Sequence, residues 1–205
     1  GYTPKQLEYK TGAPPDAGER FRRWSDACTG NADPEIELDS MVAIGELFEY
    51  FQQLIAARRT EPQNDMLSVL TTAEVDGVRL TDDDLLNFAF LLLVAGNETT
   101  RNLIALGTLA LIEHPDICAQ LVKDPALIPG AVEEMLRWCS PVTHMARTAT
   151  VDVEIRGQHI RAGDTVVMLY GSANRDEEIF GADAEEFNIV RNPNPHIAFG
   201  CGEHS

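Results

Sequence analysis

Leu91-Leu92-Leu93-Val94-Ala95-Gly96-Asn97-Glu98-Thr99-Thr100 is the stretch whose reading decides the fold. It sits in a longer segment, Thr81 to Glu113, that carries a helix signal throughout. Thr81 caps the start, and Asp82, Asp83 and Asp84 fill the first turn, where negative charge suits the helix dipole. Asp84 stands three after Thr81, the spacing of a capping box with Asp in place of Glu. Leu85 to Val94 is apolar almost all round, which reads as a helix buried in a large protein. His114-Pro115 stops it, because proline cannot continue a helix. The span is roughly 50 Å at 1.5 Å per residue.

The middle of this helix breaks the rules of a core. Gly96 costs about 1 kcal/mol against Ala in a helix interior. Asn97, Glu98, Thr99 and Thr100 then set polar groups beside a buried run. Thr99 lies four after Ala95, so its hydroxyl reaches that carbonyl and bends or bulges the helix. The expectation is a small groove flanked by a hydroxyl and a carboxylate, suited to proton delivery. The alternative is a helix that simply surfaces at Gly96 and turns polar.

Composition narrows the partners. The 205 residues carry 16 Lys and Arg against 33 Asp and Glu, a net charge of −17. That balance argues against nucleic acid or an anionic membrane as partner. Cys28, Cys118, Cys139 and Cys201 show neither a disulfide framework nor paired metal spacing, which points to a reducing cytoplasm. No signal peptide opens the chain, and the longest apolar run, Phe88 to Ala95, falls short of the ~20 residues that span a bilayer. Both ends read as cut, so 1–205 is expected to be part of one larger domain.

Outward from the central helix, residues 1 to 15 read as loop and Asn31 to Glu37 as a linker. Helices are expected from Asp16 to Cys28 around Phe21 and Trp24, and from Asp39 to Arg59. The second has Met41, Ile44, Leu47, Phe48, Phe51, Leu54 and Ile55 at helical spacing. Asp65 to Ala73 is a third helix, with a turn at Asp76-Gly77. Beyond the centre, Pro115 to Lys123 and Pro129 to Trp138 are helices. The period then changes. Val151 to Ile155 alternates, Arg156-Gly157-Gln158 turns and Thr165 to Tyr170 reads as a strand. Short helical or irregular pieces follow at Glu177 to Phe180 and Ala184 to Phe187, then extended loop from Asn188 to Ser205. The fold class is mainly α with a small β region.

Two further constellations stand out. Glu134 and Arg137 are three apart and share a helix face. Such a pair is common on solvated faces, but a bidentate Arg fork also fixes a neighbouring loop. Phe199-Gly200-Cys201-Gly202-Glu203-His204 is a loop whose glycines allow a backbone to approach a flat ligand closely. Cys201, His204 and His196 read alternatively as metal ligands, but the four-ligand pairing of a zinc site is missing. No metal ligand is therefore assigned.

Taken in order, Ala95-Gly96-x-Glu98-Thr99-Thr100, Glu134-x-x-Arg137, Arg147, Phe187 to Arg191 and Phe199-Gly200-x-Gly202-x-His204 resemble the C-terminal half of a cytochrome P450, a haem-thiolate monooxygenase. Gly96 to Asn102 and Arg191 to His196 look most like bacterial soluble members that hydroxylate steroids or isoprenoid chains. The resemblance implies a partial P450 fold, haem b (iron protoporphyrin IX), dioxygen and a hydrophobic substrate. It also implies electrons from NAD(P)H through a ferredoxin-type donor. Glu98 and Thr99 would relay protons, and Ala95 and Gly96 would leave room for oxygen and substrate. Arg147 and His204 would reach the haem propionates. Phe199, followed by Gly200, would pack near the thiolate. Val142, Thr143, His144 and Met145 would form a wall of the substrate pocket. Glu134, Arg137 and Arg191 would form a buried structural triad, and His196 would be structural. In the family pattern the iron-ligating cysteine comes two residues after His204, hence beyond Ser205, and Cys201 is not expected to replace it. The isolated chain is therefore expected to be inactive. The rivals are a haem-thiolate enzyme of other chemistry, such as a peroxygenase or a rearrangement catalyst, and a non-catalytic helical domain that binds a lipophile or a protein.

Overall fold

The computed structural model describes residues 18–28 and 39–202. The expected N-terminal loop, the linker and His204 lie outside them. The chain divides into two compact units, Gly1–Arg101 and Asn102–Ser205.

In the first unit, α1 (Gly18–Cys28) and α2 (Ser40–Thr60) pack together. Phe21 and Trp24 on α1 are each 2% exposed. Phe21 meets Tyr50 edge-on at 5.3 Å and stacks on Phe51 at 5.9 Å. The Trp24 indole donates to Glu46 at 2.8 Å, so its one polar atom is satisfied. Asp39 caps α2 by accepting from the Met41 and Val42 amides. The buried stripe of α2 is Ala43, Leu47, Phe51 and Ile55, spaced four apart. Met41, expected on that face, falls off the stripe and is 73% exposed.

Arg58, near the end of α2, bonds Asp65 at 2.6 Å with both side chains buried. Asp65 also caps α3 (Met66–Thr72) through the Ser68 amide at 2.7 Å. Burial opposes ionisation of Asp65, yet the bonds from Arg58 and Ser68 hold its carboxyl below the usual range. The turn at Asp76-Gly77 closes a short hairpin of β1 (Glu74–Val75) and β2 (Val78–Arg79). Both turn residues have positive φ, 52° and 79°, the geometry that tight hairpins use.

The central helix, α4 (Asp82–Glu113), is 32 residues long and α-helical throughout. Its capping box forms as read: the Asp84 amide donates to the Thr81 hydroxyl at 3.1 Å, and the Thr81 amide donates to the Asp84 carboxylate at 2.9 Å. The Thr81 hydroxyl, which donates to the Asp84 carboxylate at 2.6 Å, and after it the Thr81 amide hold that carboxyl below its ordinary value. Leu85, Leu86, Ala89 and Leu93 join the core of the first unit. Phe88 and Leu91 remain 41% and 58% exposed, so the apolar run buries one face and not its whole circumference.

The second unit holds the rest of α4, then α5 (Pro115–Lys123), a 3₁₀ turn at Pro125–Leu127 and α6 (Ile128–Cys139). Ala110, Ile117, Ala131, Phe187 and Ile189 form its core. A Cβ at Gly107 would stand 2.9 Å from the Met135 sulfur, so glycine permits that close approach. Ser140 ends α6 in a left-handed conformation with φ 42°. Two antiparallel ribbons follow, β3 (His144–Thr148) with β6 (Thr165–Leu169), and β4 (Val153–Ile155) with β5 (Gln158–Ile160). The sequence reading did not mark β3 as a strand, because His144 to Thr148 lacks alternation. The strand expected to reach Tyr170 stops at Leu169, where α7 (Tyr170–Ala173) begins. After α8 (Glu177–Phe180) the chain is irregular to Gly202.

Candidate functional site

In the first unit the site is built on the middle of α4. The Thr99 hydroxyl donates to the Ala95 carbonyl at 2.7 Å, as the spacing required. The expected bulge is absent: α4 keeps α-helical geometry, since a Thr hydroxyl can share a carbonyl without displacing the ladder bond. Glu98, beside Thr99, bonds the Arg101 guanidinium one turn on. Arg101 in turn reaches Asp26 on α1 at 3.2 Å. Glu98 is the leading cause that pushes the Arg101 pKa up. Sequence reasoning missed Asp26 and gave Arg101 no role, because the two are 75 positions apart.

In the second unit Glu134, Arg137 and Arg191 come together. Arg137 binds Glu134 through two bonds, Nε to Oε2 at 2.8 Å and Nη2 to Oε1 at 2.7 Å. Its remaining donors reach the carbonyls of Asn174 at 2.7 Å, Ala184 at 2.8 Å and Glu186 at 2.8 Å. All five guanidinium N–H groups are thus engaged in a residue with 0% side-chain exposure. Glu134 also accepts from the Asn188 amide at 2.8 Å and the Asn194 side chain at 3.1 Å. Arg191 lies 3.4 Å from the same carboxylate and bonds the Asp183 carbonyl at 2.7 Å. Its bond to the Asp183 carboxylate is the first cause of that group's lowered pKa. The Phe180 ring is approached by both guanidiniums, 5.2 Å from Arg137 and 5.9 Å from Arg191.

The triad clamps the segment that carries the glycine loop. Asn174, fully buried, donates to the Ser140 hydroxyl at 3.0 Å and accepts from the Ile197 amide at 2.9 Å. The sequence gave no signal for Asn174, a single amide in a polar stretch. Gly200 and Gly202 hold positive φ of 90° and 92°, which a side chain rarely adopts. Phe199 is 72% exposed on this loop. His196 accepts from the Ala198 amide through Nδ1 at 3.3 Å and donates from Nε2 to Glu133 at 2.9 Å. Both ring nitrogens are engaged, which supports its structural reading over a ligating one. Among the described residues no group of three or more His, Cys, Asp or Glu is arranged to hold a metal ion.

Arg147 is the fourth of the five residues of β3. It is exposed, and its one bond among the described residues runs to the neighbouring Ala146 carbonyl at 3.0 Å. Val142 is half-buried, and Thr143, His144 and Met145 are exposed along the same segment. Thr143 Oγ1 lies 2.9 Å from His144 Nδ1. Arg147 is an exposed cation, suited in charge to a carboxylate, and Phe199 is an exposed aromatic beside a positive-φ glycine, suited in shape to lie against a flat ring. A separate apolar groove of about 450 Å³ is lined by Leu111, Cys118, Leu121, Ile128, Val132 and Met135 among others, and none of the expected site residues lines it. No described helix is long and apolar enough to cross a membrane.

The comparisons with known proteins agree with these features. The cytochrome P450 family model matches residues 38–126 and 117–205. A steroid C26-monooxygenase of Mycobacterium tuberculosis H37Rv is 42% identical over 200 residues, covering 94% of this chain and 49% of that protein. A methyl-branched lipid omega-hydroxylase of Mycobacterium bovis is 44% identical over 195 residues, 93% of this chain and 45% of its own length. A Bacillus megaterium P450 solved with testosterone superposes with a TM-score of 0.87 at 39% identity, covering 98% of this chain and 55% of that one. A P450 of the bacillaene polyketide synthase of Bacillus subtilis gives 0.88 at 41% identity, over 97% of this chain and 50% of that one. The chain spans about half the length of the curated relatives it matches. With the ordered motifs, the buried Glu134–Arg137 clamp and the matches along nearly all its length, the chain belongs to the cytochrome P450 family.

Proposed function

We propose that the whole protein is a haem-thiolate monooxygenase that inserts one atom of dioxygen into a hydrophobic substrate. The observation that carries this is the Thr99 hydroxyl held on the Ala95 carbonyl, with Glu98 beside it, in a chain of this family. The overall change consumes one C–H bond, dioxygen, two electrons and two protons, and yields a hydroxylated product and water. Haem b, when bound, supplies the activation of dioxygen. Arg147, Phe199 and Gly200, with Ala95, Gly96 and His204, are the residues we assign to holding it. The iron ligand is not assigned to Cys201, which is exposed and lies between two glycines. Family spacing puts the ligating cysteine two positions after His204.

Glu98 and Thr99 handle the protons. A hydroxyl both donates and accepts, so Thr99 can pass a proton on once it turns from the Ala95 carbonyl. Glu98 is the adjacent exchangeable acid. Together they favour dioxygen activation over a peroxide-driven or rearrangement reaction. Electrons come from NAD(P)H through a ferredoxin-type donor. Val142, Thr143, His144 and Met145 face the substrate. A steroid or isoprenoid chain is the substrate class we favour, supported by relatives named for steroids and methyl-branched lipids. Four cysteines whose spacing shows no disulfide framework favour a cytoplasmic setting.

The experiment uses the whole protein. The reduced carbon monoxide difference spectrum should show a thiolate-ligated haem, and its absence would favour the non-catalytic lipophile- or protein-binding reading. Thr99→Ala should then lower product formation on the order of a hundredfold while NAD(P)H is still consumed. Unchanged product per NAD(P)H would remove Thr99 from proton delivery.

A further inference from the structure

Glu98 is not held by α4 alone. Its carboxylate bonds Arg101, and Arg101 is anchored 3.2 Å from Asp26, which is 4% exposed on α1. Arg22 lies 3.6 Å from the other oxygen of Asp26. An i, i+3 ion pair on an open helix face is weak and leaves a flexible glutamate free to change rotamer. Anchoring the guanidinium on a buried carboxylate of a second helix removes that freedom, because moving Glu98 must disturb Arg101 or leave its charge less balanced. Side-chain exposure along the path is 14% at Glu98, 39% at Arg101 and 6% at Asp26, so the Asp26 end is the fixed one.

We propose that Asp26 and Arg101 are positioning residues for proton delivery: Asp26 fixes Arg101, and Arg101 fixes the direction of the Glu98 carboxylate. This rests on the reading of Glu98 given above. Neither residue need touch substrate, oxygen or haem, and both act through Glu98.

The test is a set of variants of the whole haem-loaded protein, read by product per NAD(P)H, by the solvent isotope effect on kcat and by KM. Asp26→Asn and Arg101→Gln should each lower product per NAD(P)H by about threefold or more, raise the isotope effect and leave KM unchanged. Asp26→Asn added to Glu98→Gln should have no further effect. Asp26→Glu, which keeps the charge, should restore most of the coupling. A readout independent of turnover is the double-mutant cycle between Asp26 and Glu98 on the unfolding equilibrium, which should show at least a roughly twofold coupling that vanishes in Arg101→Gln. The proposal is overturned if Asp26→Asn leaves product per NAD(P)H at the wild-type value, or lowers it equally in the Glu98→Gln background. If Asp26→Asn does not fold, Arg101→Lys carries the same test, since it keeps the charge and loses the fork. Should Glu98→Gln itself leave coupling unchanged, the role of Glu98 fails and this proposal falls with it. A normal effect of Glu98→Gln with silent Asp26 and Arg101 variants sinks this proposal alone.

Discussion

Arg137 and Glu134 meet in a two-pronged ion pair with neither side chain exposed, and the fork of Arg137 continues into three backbone carbonyls. A lysine has three donors on a single atom and cannot fill five positions. Arg137→Lys keeps a charge opposite Glu134 but leaves at least two buried acceptors unpaired, so it should destabilise the whole protein by about 2–6 kcal/mol, at about 1–3 kcal/mol for each. Urea denaturation measures it, and a loss below about 1 kcal/mol would show that the clamp is not a main support.

Acid should act on the Arg58–Asp65 pair. The folded-state pKa of Asp65 is below its unfolded value, with burial opposed and outweighed by the bonds from Arg58 and Ser68. The resulting stability is fully present above the unfolded pKa and is lost as pH falls through the folded one. Asp65→Asn keeps the cap and removes the charge, at a cost of about 3 kcal/mol near neutrality. The gap between wild type and variant should hold down to about pH 5 and shrink below about pH 4. Denaturation curves from pH 3 to 7 check this, and a gap that widens on acidification would contradict it.

Two helix glycines should respond in opposite directions. Gly45, on the exposed side of α2, has nothing within 4 Å of a new Cβ. Gly45→Ala should stabilise by about 0.5–1 kcal/mol. Gly130 on α6 would place its Cβ 2.8 Å from the Ile189 carbonyl oxygen, which is backbone and cannot turn aside cheaply. Gly130→Ala should cost about 1–3 kcal/mol. Melting temperatures of the two variants, compared with wild type, give the signs directly.

Arg147 should matter for holding haem and little for folding, because it is exposed and bonds only its neighbour's carbonyl among the described residues. Losing one charge-assisted bond is worth about 1.5–3 kcal/mol. Arg147→Ala should accordingly speed haem transfer from the whole protein to apomyoglobin by roughly ten- to a hundredfold. A transfer rate equal to wild type would take Arg147 out of the cofactor site.

What was legible in the sequence is what lies within a few residues. The Thr81–Asp84 box, the Thr99–Ala95 bond and the Glu134–Arg137 pair all join positions three or four apart on a helix, where spacing alone fixes a shared face. The long-range half of each arrangement was hidden. Asp26 answers Arg101 from another helix, and Asn174 joins Ser140 to Ile197 with no periodic pattern around it. Burial was also overread at Met41, Phe88 and Leu91, since apolar spacing tells which residues suit a core and not which face finds a partner. Strand β3 escaped because its polar residues do not alternate, and pairing with β6 supplies its geometry.

The reach of Arg137 has a consequence for how this region can change over time. From Asn174 to Arg191 the chain has one helical turn and no strand; Arg191 takes the Asp183 carbonyl, and the carbonyls of Asn174, Ala184 and Glu186 all point at one guanidinium, that of Arg137. An added or deleted residue between Asn174 and Glu186 would rotate the wrong peptide group toward that cation. Segment length there is consequently as constrained as residue identity, so natural variation should take the form of substitutions, with insertions and deletions confined to stretches outside the span.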